Sequence, residues 1–172
     1  MNPFLYDIII DRSDSMNFGF SYVGLIYLLM LFIPNIIWSK NKPEDYDKYV
    51  KNESKELLVF ERTGEILLTV FPLIFTDFNI NKISNWSIIL LLSFLSMTLY
   101  EISWIRYFKS KKTMKDMYRS IIGIPVPIAS LPVFSFLLLG IYGKNIIVII
   151  SSIIMAIGHI GIHLNHRKEI KK

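Results

Sequence analysis

The sequence predicts an all-helical integral membrane bundle of five transmembrane helices in one domain, residues 1–172, and three observations lead there. Apolar residues make up 52% of the chain, with 14% aromatics. The mean hydropathy is +0.44, too high for an ordinary soluble domain. The apolar residues come in blocks about 20 long, the length a helix needs to cross a hydrocarbon core of about 30 Å. Finally, the basic residues sit at the edges of these blocks. Five spans leave Arg12, Lys82 and Lys144 on one side and all the rest of the nineteen Lys and Arg on the other. The positive-inside rule then puts the amino terminus outside and the carboxyl terminus in the cytoplasm, for a multi-pass protein of the cell membrane.

That distribution also accounts for the net charge of +5 without a contiguous basic patch, so nucleic acid is not an expected partner. The chain has no cysteine, which excludes disulfides, thiolate metal sites and thiol nucleophiles. Met1 to Asn17 lacks a basic leader region and carries Asp7, Asp11 and Asp14 against Arg12; no cleavage is expected there.

The first span is expected at 18–38, with Tyr22, Tyr27 and Trp38 as interfacial anchors and Pro34 freeing the Met30 carbonyl. Ser39 to Glu56 mixes lysines with acidic residues and reads as a solvated loop with some helix. The second span is unusual, because the uncharged run Ile66 to Thr76 is too short to cross a bilayer. Extending it to 59–78 takes in Glu61, Arg62 and Glu65. Glu61, Glu65, Thr69, Pro72 and Thr76 then share a stripe within about 80°, which belongs against protein or water. Asp77 falls at the solvated rim.

The third span, 86–105, holds Ser93, Ser96, Tyr100 and Glu101, with Trp104, Arg106 and Tyr107 at its end. Thr113 to Ile122 is expected as an interfacial helix with Met114, Met117 and Ile121 against lipid. The fourth span, 124–141, carries Pro125, Pro127 and Pro132. Pro132 falls mid-helix and predicts a kink or break. After a tight Gly140 to Lys144 turn, the fifth span, 145–165, ends in a basic tail.

All three histidines, His159, His163 and His166, lie at the end of this last span, within an arc of about 60° on an ideal helix. Gly158 and Gly161 fall on another side, where a neighbouring backbone can come close. With the second span starting inside and the third and fifth ending inside, Glu61, Glu65, Glu101 and the histidines all occupy the cytoplasmic half. At about 1.5 Å per residue, Glu65 and Glu101 lie roughly 9 and 6 Å deep, with His159 roughly 10 Å above His166. Ionisable groups at such depths usually face a bundle interior.

Two chemistries suit the set. His159 and His163 at i and i+4, with Glu65 or Glu101 and with His166 as a further donor, form a site for Zn²⁺, Mn²⁺ or Fe²⁺. Three ligands leave a position for activated water or Lewis-acid chemistry, with Glu65, Glu101 and Tyr100 as catalytic candidates. The same groups can instead carry protons. Structural readings stand beside these: His166 as a terminal cation, Glu61 with Arg62 as an interfacial pair, Glu101 paired with Arg106. The His-Glu-x2-His zincin motif, the Glu-x2-His of di-iron bundles, the Walker loop and the Gly-x-Ser-x-Gly elbow are all absent. The expectation is a metal-dependent membrane enzyme acting on a lipid-derived or membrane-delivered substrate. A proton-coupled transporter, or an accessory subunit with a membrane partner or a second copy, is the alternative.

Overall fold

A computed structural model describes residues 16–171. The expectations for Asp7, Asp11, Arg12 and Asp14 lie outside the described residues. The described chain is helical with no named strands; its bridges are isolated contacts, Phe18 with Phe75 and Ile121 with Ile124. Five long helices carry it: α1 (Tyr22–Ser39), α3 (Lys55–Ile74), α4 (Ser87–Phe108), α6 (Pro127–Tyr142) and α7 (Ile146–Ile170). Two short helices, α2 (Tyr46–Val50) and α5 (Met114–Met117), lie in the connections. Three of the seven, α1, α4 and α7, are long and apolar enough to cross a membrane, which marks a membrane protein. The charged half of α3 and the 16-residue length of α6 keep those two outside that description.

Helices α1, α3 and α7 start where the sequence supplies a side-chain cap. Ser21 Oγ accepts from Gly24 N–H at 2.9 Å, Ser54 Oγ from Leu57 N–H at 3.4 Å, and Asn145 Oδ1 from Val148 N–H at 3.1 Å. The Ser54 cap starts α3 four residues before the expected Val59, and the helix ends correspondingly early at Ile74, before extended Phe75. Pro127 opens α6 at its first position, where a missing N–H costs nothing. Val126 is kept out of the right-handed helical region by the following proline and sits at φ 42°. Pro125 therefore precedes the helix, and α6 runs unbroken through Pro132.

The long helices alternate in direction. At one end, Ser21 N–H donates to Leu73 C=O at 2.9 Å and Trp86 Nε1–H to Tyr142 C=O at 2.8 Å. At the other, the Tyr107 hydroxyl donates to Asn41 C=O at 2.7 Å and Arg167 to Ser120 Oγ at 2.9 Å. Side-by-side packing runs α4–α6–α7–α3, and α1 closes the ring against α3 and α4. At the α1–α3 contact a Cβ on Gly24 would overlap the Pro72 carbonyl. The two helices touch closely there, at the end away from the histidines, and a cleft opens between them below it.

Several side chains read as interfacial are core instead. Tyr27, Trp104 and Tyr107 are each 1% exposed, and the Tyr27 hydroxyl donates to Ser93 Oγ at 3.0 Å. The buried Tyr27 and Tyr107 hydroxyls find partners inside the bundle, so a polar tip by itself does not mark a membrane rim. The Thr113 to Ile122 helix shrinks to the single turn of α5, capped reciprocally by Thr113 and Asp116. Its Met114 and Met117 are both 2% exposed, packed into the protein and not against lipid.

Candidate metal centre

The site is built where α7 crosses α3. A Cβ on Gly64 would lie 2.6 Å from the Met155 Cα, and one on Gly158 would overlap the Glu61 backbone nitrogen. The reciprocal glycines let the two backbones touch, as small residues do between membrane helices. Just there α7 carries a π turn, Ala156–Ile160. One extra residue in a turn rotates everything that follows, and such turns recur at functional sites.

This contact brings His159 Nδ1 to 2.6 Å from Glu61 Oε1. The His163 ring follows, its centroid 4.4 Å from that of His159. One donor atom from each of Glu61, His159 and His163 lies within 4.8 Å of the others. Two donors on one Zn²⁺ can be at most about 4.2 Å apart, twice a Zn–N bond of about 2.1 Å. Small side-chain rotations therefore complete the set, and two imidazoles with one carboxylate suit Zn²⁺, Mn²⁺ or Fe²⁺.

The three residues line a partly open cavity of about 450 Å³ within the helix ring. At the level of Glu61 its wall is polar and aromatic, with Trp38, Lys42, Tyr46 and Arg62; further along it is apolar, with Leu31, Leu68, Val133 and Phe136. Arg62 and Glu65 stand at the cleft between α1 and α3, their side chains 71% and 47% exposed.

Behind His163 lies a second layer. The Tyr118 hydroxyl sits 2.9 Å from His163 Nδ1 and 3.0 Å from His166 Nδ1. His166 Nε2 lies 3.2 Å from Glu53 Oε1, without hydrogen-bond alignment. Tyr118 is 4% exposed and His166 2%. Burial, with nearby acidic groups adding to it, pushes the Tyr118 hydroxyl up from its ordinary range and keeps the phenol protonated. Burial also raises the Glu53 carboxyl, with the Glu61 carboxylate acting in the same direction. The Tyr46 phenol is pushed up to about 12, chiefly by burial.

The expected residues are thus distributed unequally. His159 and His163 come together with Glu61. Glu65 lines the cavity mouth and receives Arg62 Nη1–H at 2.8 Å. Tyr100 lines the cavity, accepting from Asn35 Nδ2–H at 2.8 Å and donating to Leu31 C=O at 3.2 Å. Glu101 does not line the cavity, and its buried Oε1 has no hydrogen bond among the described residues. Arg106 turns away from it to the Ser120 and Arg119 carbonyls. His166 is buried next to Tyr118, outside the three-donor group. Tyr118 falls in the expected interfacial helix and Glu53 in the expected loop, with no motif to mark either; a tyrosine and an acid in two separate connections become legible only once α2 and α5 fold against α7.

Fold and site together describe a helical membrane protein with a two-histidine, one-carboxylate group inside its bundle. Comparison with protein-family models, curated proteins and solved structures gives no match.

Proposed function

We propose that this protein is a metal-dependent enzyme embedded in the membrane, acting on a lipid-derived substrate. The observation that carries the reading is the convergence of Glu61, His159 and His163 donors within 4.8 Å of one another at the wall of an amphipathic cavity. Three protein ligands leave a divalent ion a position for water or substrate, where it polarises an oxygen or lowers the pKa of bound water. In the proposed topology all five long helices cross the bilayer, the amino terminus is outside, and the metal lies at the cytoplasmic level. The unbalanced placing of Lys and Arg supports that orientation.

The cavity has a matching polarity. Ile128 and Phe136 line it eight residues apart on α6, so it extends about 12 Å along the helix axis. Its polar end is at the metal level and its apolar end toward the bilayer centre, as in a lipid of the inner leaflet. The cleft between α1 and α3 is the proposed entry from that leaflet.

Reconstitution in vesicles of a total lipid extract, with Zn²⁺, Mn²⁺ or Fe²⁺ added separately, tests the activity. Mass spectrometry should show a lipid species converted with one of the metals and unconverted by a His159→Ala, His163→Ala protein. No metal-dependent change with any of the three would overturn it. Because the chain has no cysteine, single cysteines report topology cleanly. One at Asn81 should be labelled by an impermeant maleimide in intact cells, and one at Ser110 only after permeabilisation.

A proton-coupled carrier is the second reading. The linked groups from Glu53 through His166 and Tyr118 to His163 favour it. Metal-independent proton uptake by the same vesicles would select it.

A further inference from the structure

His163 has two ring nitrogens, and the layer behind it decides which of them faces the metal site. A neutral imidazole has one protonated and one bare nitrogen, and the partner of one nitrogen decides the state of the other. Tyr118 has a single hydroxyl proton, yet its oxygen lies within hydrogen-bond distance of two Nδ1 atoms, His163 at 2.9 Å and His166 at 3.0 Å. Tyr118 is 4% exposed, and accepting from both would leave its buried proton without an acceptor, so it donates to one and accepts from the other.

Glu53 sets the direction. Its Oε1 lies 3.2 Å from His166 Nε2, close enough to act on it electrostatically although the two are not aligned as a hydrogen bond, and a negative oxygen favours a proton on the nitrogen nearest it. A bare Nε2 there would set a lone pair beside a negative oxygen in a place where His166 is 2% exposed. The proton therefore sits on Nε2, His166 Nδ1 is bare, and Tyr118 donates to it. The Tyr118 oxygen then accepts from His163 Nδ1–H. That leaves His163 Nε2 bare, with its lone pair directed away from Tyr118.

We infer that Glu53, His166 and Tyr118 form an outer layer that fixes His163 as its Nδ1–H tautomer and makes Nε2 its metal-ligating atom. Tyr118 and His166 are positioning residues in this assignment, and His166 is not a ligand. The inference rests on the metal reading for its consequence, and for its substance on the two Tyr118 hydrogen bonds and the closeness of the Glu53 carboxylate to His166 Nε2. Losing an outer-layer partner typically weakens metal binding by about 10–100-fold.

The test uses the full-length protein in detergent, labelled with ¹⁵N-histidine, with His163→Gln identifying the His163 signals. In wild type, His163 should show a protonated Nδ1 and an unprotonated Nε2. In Tyr118→Phe, which keeps the ring and removes only the hydroxyl, the tautomer ratio should shift and Co²⁺, followed by its visible spectrum, should bind about 10–100-fold more weakly. Glu53→Gln lets His166 Nε2 either donate or accept, and should move both readouts in the same direction; it serves in place of Tyr118→Phe if that variant does not fold. A His163 protonated on Nε2 in wild type overturns the inference, as does an unchanged tautomer and unchanged Co²⁺ affinity in a folded variant. Co²⁺ bound equally by wild type and variants would leave the metal reading standing and this inference fallen. No Co²⁺ binding, with the tautomer shifting as described, would do the reverse.

Discussion

Glu61→Gln should bind Co²⁺ at least about 100-fold more weakly than wild type, beyond the loss expected for an outer-layer partner, while Glu65→Gln should bind as wild type does. The two glutamates lie one helical turn apart on α3, and sequence alone gives them the same face. Their surroundings differ. Glu61 is 16% exposed and 2.6 Å from His159 Nδ1, whereas Glu65 is 47% exposed and paired with Arg62 at 2.8 Å. Glutamine preserves the size of Glu61 but removes the anionic oxygen that a divalent ion requires of its carboxylate ligand. At Glu65 the same change breaks an exposed i,i+3 pair, worth at most about 1 kcal/mol. Titration of both variants with Co²⁺ against a chelator measures the difference, and equal affinities would remove Glu61 from the site.

Gly158→Val should destabilise the protein by about 1–3 kcal/mol or more and weaken the proposed metal site with it. A Cβ at Gly158 has no space, because the Glu61 nitrogen and the Leu57 carbonyl occupy it, and neither is a flexible side chain that could move aside. Helix α7 must lift from α3, which separates His159 from Glu61. Gly161→Ala is the control. Its Cβ would meet only the Leu57 side chain at 3.2 Å, a flexible neighbour, and alanine is the better helix former. Thermal unfolding in detergent, followed by tryptophan fluorescence, should show a clear drop for Gly158→Val and little change for Gly161→Ala. A Gly158→Val protein as stable as wild type would contradict the close α3–α7 contact.

The helical architecture was legible because apolar blocks of bilayer length leave few alternatives. The histidine face and the packing role of Gly158 and Gly161 could also be read from helical spacing alone, and the structure places both glycines against α3. Which carboxylate meets the histidines was not legible. Glu61 and Glu65 share a stripe, and their roles depend on the Ser54 cap that starts α3 early and on the π turn that resets α7 at His159. A π turn costs one residue of register and leaves no spacing signature of its own. Trp104 and Tyr107 illustrate a second limit: near a span end, an aromatic residue reads as an interfacial anchor whether it faces lipid or its own bundle. Likewise Met114 and Met117 present an amphipathic spacing that a protein surface fills as well as a membrane does.

The most direct test of the metal centre is the metal content of the detergent-purified protein after exposure to zinc, manganese and iron, measured beside a His159→Ala, His163→Ala protein of equal stability. One metal ion per chain in wild type and none in the double variant is the predicted result. No metal in either, or equal metal in both, would contradict a centre built on Glu61, His159 and His163.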